Sequence, residues 1–357
     1  MTRPTGRSTI AAVAIDTVRT RPVPTSSDAV PLYAAAAPMA ATAGIAPLAL
    51  ALGNGPSLPL ACLAAGVVLL TFVAIRVRPN GPLATFSYGA ITVGLAAALG
   101  SALSRTGVPW PVGAAIGVAV VGLLGYRSAV VPARVLGLLV GLEVLALVLF
   151  DGAVLAEQGL SALPAQSLSP NTVVKGGAVS SGLALLFALA CFVGISPGLT
   201  AGRPRKRYAV VTVATGFLAV TGWVLVGSIA TGQTAGLAVY EGANLVPALA
   251  GSYVGDRFAE AMTALLCASL LTLMLATHHA AVRAWTPAPR AGRVSLVLTG
   301  VTAAAVVIGA VTGVDPYVTM AAWLTGLGAL GVLLSPAIAG LVALIRRRRN
   351  TDLGTSW

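Results

Sequence analysis

Few residues of this 357-residue chain could do chemistry, and most of them stand inside apolar runs. Glu143 sits in Leu142-Glu143-Val144, mid-run. A charge there is costly and usually faces a cavity or a partner. It reads either as a proton-coupling carboxylate or as a structural acid, protonated or paired with Arg134. Asp151 lies nearer the outer end of the same run and reads as an interfacial residue. His278 and His279 are adjacent, so on a helix they point about 100° apart and cannot ligate one metal from one face. A role at a helix end fits them, as does pH gating, because imidazole titrates near neutrality. Thr42 and Ser196 lie beside Gly and Pro. Their hydroxyls could bond a substrate or turn back on their own helix carbonyls. Phe192 could close over a substrate or simply pack. Cys62, Cys191 and Cys267 stand in apolar runs without metal spacing and read as buried small hydrophobes. Paired carboxylates, phosphate loops and dinucleotide fingerprints are missing from the sequence, so it reads as no enzyme, with no metal or cofactor.

The elements that hold these residues follow from composition. The chain is 57% hydrophobic and 9% charged, with a mean hydropathy of +0.91. A soluble domain carries roughly a quarter charged residues. Apolar runs of about 20 residues match the hydrocarbon thickness of a bilayer. Runs bounded by charge, Pro or Gly predict ten helices, at about 31–53, 58–77, 83–104, 109–126, 133–155, 177–200, 208–231, 257–284, 293–313 and 317–345. With the N-terminus in the cytoplasm, this threading puts all but Arg105, Lys175 and Arg257 of the 22 Lys and Arg residues on the cytoplasmic side. That is the positive-inside pattern, and it predicts a multi-pass cell-membrane protein with both termini cytoplasmic. The net charge of +12 is thus a topology signal and calls for no nucleic acid. Residues 1–28 read as a basic disordered cytoplasmic tail. Residues 29–346 read as one transmembrane domain, and 347–357 as a short cytoplasmic tail. The Arg346–Arg349 run reads as a stop and an anchor to anionic lipid.

Two spans are interrupted on paper. The first carries Pro38, Gly44 and Pro47; the sixth carries Gly194, Ser196 and Pro197. Proline removes a helical hydrogen bond, and lipid tolerates the freed groups only where protein or a wet cavity satisfies them. Interrupted helices at corresponding places in two halves point to a transporter's substrate site. Spans one and six correspond if the repeat is five helices long, with opposite topology in its halves: repeat one about 31–155, repeat two about 177–345.

Several stretches resemble the amino acid–polyamine–organocation superfamily of permeases, in its short actinobacterial form. They are Ala35 to Gly55, Gly125-Tyr126-Arg127 with Ala133-Arg134, Leu142-Glu143-Val144, Leu185 to Gly194, His278-His279 with Arg283, and Asp315-Pro316-Tyr317 with Trp323 to Gly328. The likeness runs in order over about residues 30–346. It implies an all-α membrane fold of the LeuT type, a five-plus-five inverted repeat with broken helices 1 and 6. It also implies a secondary permease for an amino acid or related small amine or carboxylate, coupled to protons or sodium. The substrate would contact Thr42, Ala43, Gly44, Ile45, Phe192, Gly194, Ile195 and Ser196, with Glu143 as the proton-coupling candidate. Many relatives have Gly-Phe-Glu where this chain has Gly194-Ile195-Ser196, and most have twelve helices. Two other readings remain open: a ten-helix drug/metabolite-type exporter, and a degenerate, non-transporting permease serving as a membrane partner or sensor.

Overall fold

Proline and glycine set the helix boundaries. The computed structural model describes residues 37–75, 79, 81–127, 131–195, 206–230, 235–285, 291–336 and 338. Ten helices are apolar enough to matter to a bilayer. They are α1 (Ala40–Leu52), α2 (Leu58–Ile75), α3 (Pro82–Ser104), α4 (Trp110–Tyr126), α5 (Ala133–Gln158), α6 (Ala178–Cys191), α7 (Lys206–Ala230), α8 (Asp256–Trp285), α9 (Ala291–Thr312) and α10 (Pro316–Pro336). Proline stands within the first two residues of α3 and α4 and opens α10, where its missing N–H costs nothing and its fixed φ favours the helix. Seven of the ten are long and apolar enough to span, while α1, α4 and α6 are shorter. Among the described residues there is no strand. The expected tail at 1–28, Ser196 and the Arg346–Arg349 run lie outside the described residues.

The predicted separation of spans three and four is present, with the chain turning at Gly107 and Pro109. The two longer connections carry short helices, at Pro170–Lys175 and at Ala235–Glu241 and Leu245–Tyr253. Among the described residues, Arg127, Arg134, Arg283 and Arg293 gather at one end of the bundle and Arg105, Lys175 and Arg257 at the other.

Helix packing is organised around α3. Its most apolar window is 78% buried, against 22% for α9, so α3 is the axis and α9 belongs to the rim. Helices α3, α4, α8 and α9 all touch one another. A second group forms where α2 packs on α6 and α7, and α1 on α6. Four contacts therefore join helices five apart in order: α1 with α6, α2 with α7, α3 with α8, and α4 with α9. The rim exposes Leu138, Leu145, Val148 and Leu149 on α5 and Val301, Val307 and Ile308 on α9. In water such a surface would associate; in lipid it is the required outer face.

Close approach along the α3–α4 seam depends on Gly100. A Cβ there would stand 3.1 Å from the Trp110 carbonyl carbon, with the carbonyl oxygen nearer still. Backbone cannot swing aside as a side chain can. Gly100→Val should therefore destabilise the protein by about 1–3 kcal/mol, seen as a lower Tm in detergent. Gly89→Ala on the same helix, where a Cβ meets nothing within 4 Å, should melt at or slightly above the parent temperature.

Candidate functional site

The site is built around an awkward start to α1. Ala37 is buried with a left-handed φ of 46°, a conformation that costs a non-glycine residue about 1–3 kcal/mol. Pro38 follows as the first helical residue. Further on, Pro47 brings no N–H and presses its ring towards the carbonyl four residues back. The chain accommodates it with a π-helical stretch, Ala40–Ile45, in which the Ala46 N–H reaches back to the Ala41 carbonyl. Span one is thus widened at Gly44, where the Pro and Gly pattern predicts an interruption.

Four other helices bond the backbone of this segment. The Met39 N–H donates to Glu143 Oε2 of α5 at 3.1 Å. The Ala40 N–H donates to Ser269 Oγ of α8 at 3.0 Å, and Ser269 is itself hydrogen-bonded to the Glu143 carboxylate. Cys191 Sγ at the end of α6 donates to the Ala41 carbonyl at 3.3 Å. Tyr317 Oη donates to the Gly44 carbonyl at 2.9 Å. Tyr317 is placed by a second π-helical stretch, Pro316–Ala321, whose first turn is capped by Asp315 Oδ1 accepting from the Tyr317 and Val318 N–H groups.

Helix α6 stops three residues before Gly194, earlier than the interruption expected at Gly194, Ser196 and Pro197, the last two of which lie outside the described residues. It ends at Cys191, and Phe192 to Ile195 continue in tight turns, with the Phe192, Val193 and Ile195 N–H groups bonded three residues back. Its 14 residues cover about 21 Å, short of the roughly 30 Å hydrocarbon core. Glu143 lies about 15 Å along α5, so the two irregular helices meet near mid-depth.

A cavity opens on each side of this junction. Towards the end opposite the arginines, Thr42, Pro47, Leu147, Phe150, Asp151, Trp223, Gly227, Ser228 and Leu249 line a space of about 630 Å³ including its mouth. Towards the arginine-rich end, Phe72, Val73, Phe192, Val193, Ile195 and Val332 help line a smaller space whose described side chains are all apolar. The residues expected to bind one substrate are divided accordingly. Thr42 faces the first cavity, and Phe192 and Ile195 the second. Ala43, Gly44, Ile45 and Gly194 are buried and stand in the lining of neither cavity. Thr42 also turns its hydroxyl back to the Pro38 carbonyl.

Glu143 does not pair with Arg134, which stands about 13 Å away along α5; it accepts the Met39 N–H instead. His278 is buried and bonds Ser295 Oγ through Nε2 at 2.9 Å, while His279 Nε2 is buried without a partner among the described residues. Ser269 and Tyr317 were missed as backbone partners, because a lone Ser or Tyr in an apolar run carries no spacing signal. Asn244, in the turn Gly242–Asn244 between the two short helices, was missed too. Its Nδ2 donates to the Ser101 carbonyl at 3.0 Å, and its Oδ1 is unpartnered.

The chain matches no protein-family model and no curated protein sequence.

The cap on α1 makes a direct prediction. Glu143→Leu strands the buried Met39 N–H, a loss of about 1–3 kcal/mol. Glu143→Gln keeps an acceptor and should stay within about 1 kcal/mol of the parent. Thermal unfolding in a single detergent measures both; equal melting of the Leu and Gln variants would contradict the cap.

Proposed function

We propose that the protein is a secondary-active permease for an amino acid or a related small amine or carboxylate, working by alternating access. The observation that carries this reading is the meeting of two irregular helices at mid-depth, between one cavity on each side. Unwound or widened backbone presents N–H and C=O groups where a substrate's charged ends can use them. The contacts between helices five apart support a five-plus-five inverted repeat, as the resemblance to the amino acid–polyamine–organocation superfamily implies. On this reading the substrate lies between α1 and α6, near Thr42, Gly44 and Gly194. The arginine-rich end is cytoplasmic, by the positive-inside rule, in a cell membrane.

Glu143 is the coupling group. Its carboxylate holds the Met39 N–H and Ser269, and so ties α1 to α5 and α8. Protonation weakens a carboxylate as an acceptor, since charge-assisted hydrogen bonds are about twice as strong as neutral ones. A proton arriving at Glu143 therefore loosens the start of α1.

Purified protein in proteoliposomes, given an inward proton gradient and a panel of amino acids, amines and carboxylates, should accumulate at least one class. Glu143→Gln should fold and still exchange substrate across equal concentrations, but should lose gradient-driven accumulation by about tenfold or more, the factor that one charge-assisted hydrogen bond is worth. An absence of uptake or exchange with every solute would instead make the chain a non-transporting homologue.

A further inference from the structure

The end of α4 and the start of α9 share one corner at the arginine-rich end of the bundle. Gly125, two residues before Arg127, faces Ser295, two residues after Arg293: a Cβ at Gly125 would stand 2.8 Å from Ser295 Oγ. A Cβ at Gly292 would stand 3.6 Å from the Tyr126 ring. These contacts bring Arg127 and Arg293 to the same corner, and both are exposed. Neither guanidinium has a hydrogen bond or ion pair with a described residue. The described acids leave both charges unbalanced, since all of them, from Glu143 to Asp315, stand at mid-depth or towards the opposite end.

What lies beneath the two arginines points to the ligand. On α4, Arg127 heads a stripe of exposed residues at helical spacing, Leu123, Val120 and Ile116. On α9, Arg293 heads a second stripe, Leu296, Val297 and Val301. The stripes flank one seam, closed where Gly122 meets Thr299. Helix α4 has 17 residues and covers about 25 Å, against a hydrocarbon core of roughly 30 Å. Arg127 therefore stands at the edge of the hydrocarbon, within reach of lipid phosphates, with Tyr126 beside it in the headgroup belt. A guanidinium there forks onto phosphate oxygens. A zwitterionic lipid would also bring an ammonium group, which finds no described acid at this corner.

We propose that this corner is a binding site for one anionic phospholipid. Its phosphate bridges Arg127 and Arg293, and its acyl chains lie along the stripes on α4 and α9. The lipid clamps α9, the least buried of the seven long helices, to α4. The inference uses the membrane-spanning fold and is independent of the permease reading.

Native mass spectrometry of the full chain released from detergent tests the site with two lipids of identical acyl chains, phosphatidylglycerol and phosphatidylcholine. Phosphatidylglycerol should bind the parent more tightly. Arg127→Gln and Arg293→Gln should each weaken it by about fivefold, the worth of one cation beside an anionic headgroup, and leave phosphatidylcholine unchanged. Arg105→Gln removes a charge at the opposite end and should leave both lipids unchanged. Each variant should melt near the parent temperature without lipid, and phosphatidylglycerol should raise the Tm of the parent more than that of either corner variant. Equal binding of the two lipids by the parent overturns the site without any variant. A phosphatidylglycerol preference that survives the double substitution overturns it too, as does a loss with Arg105→Gln equal to that with Arg127→Gln. Displacement of the lipid by inorganic phosphate at matched concentration would make the ligand a free phosphate and overturn the lipid assignment.

Discussion

In hydrocarbon no water stands ready to bond a bare amide, and everything near the centre of this bundle follows from that constraint. Ala37, Pro38 and Pro47 keep α1 from being an ordinary helix, and the N–H groups of its first turn, at Met39 and Ala40, lie beyond what its own turns can bond. The molecule answers with one side chain from each of four helices: Glu143 from α5, Ser269 from α8, Cys191 from α6 and Tyr317 from α10. A segment bonded this way belongs to its neighbours more than to itself. Any displacement of α5, α6, α8 or α10 is felt at α1, and any change at α1 is returned to them.

The two helix groups give this arrangement its frame. Helices α3 and α8 meet along a tightly packed seam, crossed by the Thr92–Thr277 hydroxyl pair at 3.1 Å. Most buried Ser and Thr hydroxyls turn to their own helix carbonyls, as Thr85, Ser87, Thr92, Thr263, Thr277 and Thr302 do. Such bonds satisfy the hydroxyl locally, so the seam stays close-packed without a long-range polar network. At α1 four bonds from other helices fall within six residues, whereas elsewhere they are scattered, as at Thr92–Thr277, Thr85–Ala281 and His278–Ser295.

Much of the scaffold was legible in the sequence. Run length and bounding prolines located the seven long apolar helices, where they are described, to within a few residues, because span length is set by bilayer thickness and Pro is tolerated only at a few positions; α6 ends at Cys191, short of its expected bound. The irregularity of spans one and six was legible too, since Gly and Pro act locally. The kind of irregularity was not. Whether Pro47 breaks a helix or widens it depends on partners such as Tyr317, which is more than 270 residues away in sequence. The acids show the same limit. Glu143, deep in its run, suggested chemistry, and Asp151, near the end, suggested an interface; depth along a run says nothing of what lies opposite. The structure finds the deep acid bonded and the shallow one unpaired beside a cavity.

The smaller cavity has an electrical consequence. Its described side chains carry no charge, from Phe72 and Val73 to Phe192 and Val332, whereas the larger one carries Asp151. A charge moving through the membrane field, worth about 2.3 kcal/mol for every 100 mV, therefore meets a fixed carboxyl group in one cavity and, among the described residues, none in the other.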